Sequence, residues 1–150
     1  GAQLGIIGGG PERADYERFI RENDLKDILL IDFLPKEKIK EYYLAADLFV
    51  LPTREDIWGL VVNEAMANGL PVITTDMCNA GVQLIENGIN GHVVPTGDVV
   101  ALANGIKKLL YTENGVSIAA NNLEKIRSYT IKNAADSHMR AVQKTINCSR

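Results

Sequence analysis

The stretch Asp56-Ile57-Trp58-Gly59-Leu60-Val61-Val62-Asn63-Glu64-Ala65-Met66-Ala67-Asn68-Gly69-Leu70-Pro71, running straight into Val72-Ile73-Thr74-Thr75, decides the fold. Its apolar residues recur at helical spacing over Trp58 to Asn68, and Gly69-Leu70-Pro71 then ends the helix. The next four residues form a short apolar run without polar alternation, the signature of a strand buried on both faces of a parallel sheet. One residue breaks the pattern. At about 100° per residue, Glu64 projects between Leu60 and Val61, so a carboxylate lies on an apolar helix face. Burying an unpaired charge is costly, so Glu64 needs a partner. Two partners remain open at this point, an internal donor such as a neighbouring loop amide, or a ligand.

Outward from this segment the same alternation continues. Leu4 to Ile7 precedes an amphipathic stretch over Arg13 to Glu22; Ile28 to Ile31 precedes Lys36 to Ala46; Leu48 to Leu51 precedes the helix of Glu64. Beyond Thr75 come a short helix around Val82 to Glu86, a strand at His92 to Val94 and a helix from Val99 to Tyr111. This β-α-β-α order predicts an α/β fold, a Rossmann-like parallel sheet flanked by helices. The turns agree: Gly8-Gly9-Gly10-Pro11 ends the first strand, and Asn87-Gly88 and Asn90-Gly91 bracket a tight connection. From residue 116 to 150 the pattern is helical only, with Ser117 to Arg127 and Ile131 to Ile146 as tail helices.

With 150 residues, 46% of them hydrophobic, the chain suits one domain, residues 1–150. A net charge of −3 and a pI near 5.4 argue against a nucleic-acid surface. No apolar run approaches the roughly 18 residues of a membrane span, and the N-terminus lacks the order of a signal peptide. Cys78 and Cys148 fit no metal-ligand spacing and read as reduced thiols in a cytosolic protein. Asn147-Cys148-Ser149 matches a glycosylation acceptor only formally.

Several residues are candidates for chemistry. Gly8, Gly9 and Gly10 link a strand to a helix, where bare backbone approaches a dinucleotide in some folds, and Asp32 ends the next strand. Arg13 stands where that fingerprint has its third glycine, so a plain tight turn is an equal reading. Asp56 has the position of an N-cap. The amides of Trp58, Gly59 and Leu60 lie at a helix start, where N–H groups attract anions, and Gly59 lets a ligand come close. His92 and His138 have no companion at ligand spacing, and no P-loop, nucleophile elbow or metal cluster is present.

In order, these segments resemble a known family. Gly8-Gly9-Gly10-Pro11-Glu12, Phe33-Leu34-Pro35, Tyr42-Tyr43-Leu44-Ala45-Ala46-Asp47-Leu48-Phe49-Val50-Leu51-Pro52-Thr53, the stretch Asp56 to Asp76, and Ile85-Glu86-Asn87-Gly88-Ile89-Asn90-Gly91 are similar to the C-terminal, donor-binding domain of retaining GT-B glycosyltransferases of family four. The resemblance covers nearly all of the chain to about Leu110. That family carries a Glu, seven residues and a second Glu. The resemblance gives Glu64 the second acid's role of binding the ribose hydroxyls of a nucleotide sugar. Asp56 takes the place of the first, which contacts the sugar. It also assigns the Trp58, Gly59 and Leu60 amides to the donor sugar and diphosphate, and the backbone of Phe33, Leu34 and Pro35 to the nucleobase.

Two departures qualify the match. Asp in place of Glu shortens the reach by about 1.5 Å, so either Asp56 meets the sugar through water or Glu55 takes its place. The family's opening strand and helix, with an Arg and a Lys-Gly that neutralise the diphosphate, have no counterpart here, nor does its N-terminal acceptor domain. The resemblance therefore implies an excised donor-binding domain, inactive alone, using a nucleotide diphosphate sugar as substrate and needing no cofactor or metal. It implies a cytoplasmic protein, peripheral at the inner membrane face when full length. Loss of the first strand leaves room for an altered strand order, an exposed sheet edge or pairing between chains. A nucleotide-sugar epimerase of the same architecture and a non-catalytic Rossmann-type module are the competing readings.

Overall fold

A computed structural model describes residues 1–148 of the chain, which fall into two compact units, the first ending at Tyr42. Ser149 of the formal glycosylation tripeptide lies outside the described residues, as does the side chain of Cys148. The first unit contains β1 (Leu4–Ile7), α1 (Arg13–Glu22) and β2 (Ile28–Ile31), and α2 (Lys36–Ala45) begins in it. β1 and β2 pair in parallel, from Leu4 opposite Ile28 to Ile7 opposite Ile31. Gly8 then leaves the strand at φ 131°, a conformation that favours glycine, with its N–H donating to the Ile31 carbonyl at 3.0 Å.

The second unit holds β3 (Phe49–Leu51), α3 (Leu60–Ala67), β4 (Val72–Thr75), α4 (Asn79–Leu84), β5 (Gly91–Val94), α5 (Val99–Leu110), α6 (Gly115–Ile126) and α7 (Ile131–Cys148). Its sheet is parallel in the order β3-β4-β5. All four residues of β4 are buried, as the unalternating apolar run predicts. Val72 packs with Val62, Ala65 and Met66 of α3 and Ala80 and Leu84 of α4, whereas Ile73 packs with Leu109 of α5 and Ile118 of α6. Helices therefore cover both faces of the sheet. The two threonines of β4 do not strand their hydroxyls: Thr74 donates to the Leu51 carbonyl at 2.9 Å and Thr75 to that of Thr53 at 2.7 Å. Glycine permits the closest approaches. A Cβ on Gly91 would run into the Val72 carbonyl, and one on Gly105 of α5 into the Ile73 side chain.

The α/β class with parallel sheets and flanking helices is the one the sequence predicts. Among the described residues the five strands form a two-stranded sheet, β1-β2, and a three-stranded sheet, β3-β4-β5, so β1, β2, β3 and β5 are edge strands. Two helix starts differ from the sequence reading. α3 begins at Leu60 rather than Trp58, because Gly59 is the left-handed residue at its start. α4 begins at Asn79 rather than near Val82, because the chain turns immediately after β4, with Cys78 N–H donating to the Thr75 carbonyl.

Asn122 of α6, fully buried, fastens this helix to the sheet. Its amide donates to the Leu70 carbonyl at 2.7 Å and the Asn90 carbonyl at 3.0 Å, at the entrances of β4 and β5. Asn90 is itself buried, accepting from the Glu86 N–H and donating to the Leu84 carbonyl. Replacing Asn122 by Ala strands two buried carbonyls, at about 1–3 kcal/mol each. Asn122→Asp should cost more than Asn122→Ala, because it turns an acceptor toward both carbonyls; urea unfolding of the three proteins checks the order.

His92 of β5 lies beneath Gly105 of α5, and its buried Nε2 has no hydrogen-bond partner among the described residues. Burial, reinforced by the Lys108 cation, pushes its pKa below the ordinary 6.5. The folded chain thus takes up this proton at lower pH than the unfolded chain, so the contribution is complete above pH 6.5 and lost as pH falls below it. His92→Gln should flatten the loss of stability on acidification through this window, measured by thermal unfolding from neutral pH downward.

Candidate functional site

The start of α3 is shaped by a loop that precedes it and a second loop that crosses it. Asp56 N–H donates to the Met77 carbonyl at 3.0 Å, Asn79 Nδ2 to the Ile57 carbonyl at 2.6 Å and Ala80 N–H to the Trp58 carbonyl at 2.7 Å. The Cys78 thiol also points at the Trp58 carbonyl, at 3.4 Å. Gly59 adopts φ 89°, and a Cβ there would sit 2.5 Å from Cys78 Sγ. Glycine is thus required for backbone geometry and packing, an internal reason beside the ligand access that the sequence suggests.

Asp56 is not the N-cap of α3. Gly59 occupies that position, and Asp56 Oδ1 instead accepts the N–H of Trp58 at 3.1 Å, two residues on. The Trp58 amide is therefore engaged. Among the described residues, the N–H groups of Gly59, Leu60 and Val61 have no acceptor, and the next amide, Val62, donates to the Gly59 carbonyl. The available set is thus displaced by one residue from Trp58-Gly59-Leu60 to Gly59-Leu60-Val61. Unpaired amides at the positive end of a helix suit an anion. The Trp58 indole donates to Asn63 Oδ1 at 2.9 Å and stacks on Tyr129, with centroids 6.3 Å apart.

Glu64 lies four residues beyond Leu60, about 6 Å along the helix axis. It is half-buried rather than deep, because Leu60 on the same face is 70% exposed. Its internal partner is a phenol and not a loop amide: Tyr43 donates to Glu64 Oε2 at 3.2 Å. Burial first, then the Glu64 charge and this hydrogen bond, push the Tyr43 pKa well above the ordinary tyrosine value. Glu64 Oε1 has no partner among the described residues.

At the same end of this sheet, after β4 and β5, stand Asp76 and Thr96. Asp76 Oδ1 accepts both the hydroxyl and the N–H of Thr96, at 2.7 and 2.9 Å, and these bonds hold its pKa below the ordinary carboxylate value. The carboxyl ends of parallel strands are where ligands settle in open α/β sheets. Neither Tyr43 nor Thr96 was singled out by sequence pattern; Tyr43 is separated from Glu64 by 21 residues and only the fold brings them together.

The remaining sequence candidates belong to the first unit. Gly9 and Gly10 face open space, and Gly10 contributes its carbonyl to the Arg13 N–H. Arg13, at the place of a third glycine, pairs through its guanidinium with Asp32 at 2.9 Å. The pair is at the surface, with the Asp32 side chain largely exposed. Phe33 is 83% exposed, Leu34 is half-buried, and the Pro35 carbonyl receives the N–H groups of Lys38 and Ile39 in the first turn of α2.

Residues 1–135 match the family model for glycosyl transferases group 1. Over 119 residues the chain is 39% identical to the amylovoran biosynthesis glycosyltransferase AmsK of Erwinia amylovora, covering 74% of this chain and 29% of that protein. It is 34% identical over 109 residues to alpha-D-kanosaminyltransferase of Streptomyces kanamyceticus, covering 72% of this chain and 28% of that one. The chain thus spans less than a third of either relative. Its fold is similar to the sucrose-phosphate synthase of Thermosynechococcus elongatus, with a TM-score of 0.80 and 26% identity over 99% of this chain and 39% of that one. It also superposes on the pneumococcal O-GlcNAc transferase GtfA, solved with UDP and GlcNAc, with a TM-score of 0.80 over 96% of this chain and 29% of that chain; at 20% identity this is likeness of fold alone. By the match of its sequence over residues 1–135, the chain belongs to the glycosyl transferases group 1 family.

Proposed function

We propose that this chain is the donor-binding domain of a retaining glycosyltransferase that moves a sugar from a nucleotide diphosphate sugar to a glycan or lipid acceptor. The observation that carries the reading is the combination, at one helix, of amides at Gly59 and Leu60 and of Glu64 Oε1 one turn later, all without partners among the described residues. A carboxylate accepts hydrogen bonds from two neighbouring ribose hydroxyls, and helix amides donate to a diphosphate. Asp56, with Oδ1 held by Trp58, turns its remaining oxygen to the donor sugar, directly or through water, unless Glu55 does so. Trp58 supports these groups through its Asn63 and Tyr129 contacts. Within the first unit, the family resemblance assigns the backbone of Phe33, Leu34 and Pro35 to a nucleobase and Gly8, Gly9 and Gly10 to close approach of a ligand.

Such a site works by positioning and by charge stabilisation on the departing diphosphate, with no protein nucleophile, metal or cofactor. The name of another relative, the capsular polysaccharide biosynthesis glycosyltransferase CapM of Staphylococcus aureus, supports surface polysaccharide assembly as the setting, with the protein cytoplasmic and peripheral at the inner membrane face. The edge strands of the two sheets, β1 and β2 in one and β3 and β5 in the other, are where another strand, including one from a second copy, would add. The match to the glycosyl transferases group 1 family does not favour the epimerase alternative.

Two outcomes test the reading. Glu64→Gln in the natural full-length protein should weaken binding of UDP, GDP or ADP, whichever binds best, by about tenfold or about 1.4 kcal/mol. Unchanged affinity by calorimetry would remove the ribose role. The 150-residue chain should bind the same nucleotide more weakly than the full-length protein and show no sugar transfer in a radiolabelled-donor assay.

A further inference from the structure

Glu64 is the acid that the proposed function relies on, yet nothing on its own helix holds its carboxylate. The preceding turn offers Leu60, which is largely exposed, and the following turn offers Asn68, whose side-chain amide donates to the Glu64 backbone carbonyl at 2.9 Å and not to the carboxylate. A glutamate on such a face rotates about three side-chain torsions. Only Tyr43 meets the carboxylate among the described residues.

Tyr43 is well placed to impose order. Its ring packs against the apolar cluster of α3, β4 and α4 and lies tilted on Phe49, with centroids 5.7 Å apart. Phe49 opens β3 and pairs with Val72 of β4, so the phenol is braced by the sheet and not by a loop. A tyrosine has two side-chain torsions, so bracing the ring nearly fixes the hydroxyl. A carboxylate has about four lone-pair sites, and Tyr43 engages one of them on Oε2. Oε1 and the rest of Oε2 remain for a ligand.

We propose that Tyr43 is the positioning residue for Glu64, holding its carboxylate so that the unengaged oxygen meets the ribose hydroxyls of the donor nucleotide. This rests on the ribose role of Glu64. Because burial keeps the phenol protonated beyond the ordinary range of tyrosine, it stays a hydrogen-bond donor throughout the pH range in which such an enzyme works. A neutral donor also leaves the carboxylate its charge. A Lys or Arg in its place would compete with the hydroxyls for both oxygens and partly cancel the charge that attracts them. The phenol orients without neutralising.

The test uses a readout that mere packing does not move, the preference for ribose over 2′-deoxyribose. UDP, GDP and ADP, each beside its 2′-deoxy counterpart, are titrated into the full-length wild-type protein and into its Tyr43→Phe, Glu64→Gln and doubly substituted forms. Tyr43→Phe keeps the ring against Phe49 and removes only the hydroxyl. The expected result is a wild-type preference of about tenfold that falls to about two- or threefold in Tyr43→Phe. In the Glu64→Gln background, Tyr43→Phe should have no further effect, because the two residues act as one unit. A Tyr43→Phe protein with wild-type preference, while Glu64→Gln loses it, overturns the role of Tyr43 and leaves that of Glu64 standing. Wild-type preference in Glu64→Gln, or none in the wild type, overturns the ribose role and this inference with it.

Discussion

The candidate site depends on one constraint, the crossing of residues 56–58 by residues 77–80. Each residue of the first loop gives a backbone group to the second: Asp56 its N–H, Ile57 and Trp58 their carbonyls. With those groups satisfied, the chain turns into α3 through Gly59, a left-handed residue at φ 89° on which a Cβ would sit 2.5 Å from Cys78 Sγ. The amides left over are therefore a consequence of backbone accounting, and their orientation is set by a loop anchored to β4. A helix start held this way needs little rearrangement when an anion arrives, which is the physical content of preorganisation.

The same dependence extends outward. β4 is buried along its whole length, and the loops that lead into β4 and β5 are both held by Asn122 of α6. Between α6 and α7, Tyr129 stacks on Trp58, so the helical C-terminal region braces the site from two directions. Within this unit α6 is an integral layer, with Ile118 and Asn122 among its most buried residues, although its sequence reads as a polar-faced tail.

Much of this was legible in the residues, for identifiable reasons. The strands announced themselves because β4 and its neighbours are apolar without alternation, and Gly69-Leu70-Pro71 fixed the end of α3. The beginning of α3 was less legible, since Asp56 is a good capping residue by type and only the loop crossing shows that its side chain serves Trp58 instead. The helical wheel identified the face of Glu64 but not its cover. Leu60 and Val61 are apolar, yet Leu60 is largely exposed, so the acid is half-solvated and its partner comes from another helix. Tyr43 and Asn122 were invisible for the same reason: their contacts span 21 and 52 residues, and local periodicity carries no information about such separations. Arg13 and Asp32 show the converse, a fragment of a dinucleotide fingerprint that the fold resolves into an ion pair.

The distribution of charge along α3 favours a ligand with two different ends. Unpaired amides and the helix dipole make the start of the helix positive in character, while one turn later Glu64 is an acceptor whose only donor among the described residues is a neutral phenol. No cation among the described residues pairs with that carboxylate. A phosphate drawn to the first position is repelled from the second, and a sugar diol that satisfies the second gains little at the first. A nucleoside diphosphate carries an anionic group joined to a hydroxyl-bearing ribose and so meets both demands at once. A free nucleoside or inorganic diphosphate meets one. On the proposed reading, the alternation of sign within a single helical turn selects the donor's orientation, diphosphate toward Gly59 and ribose toward Glu64, before any contact with the sugar is made.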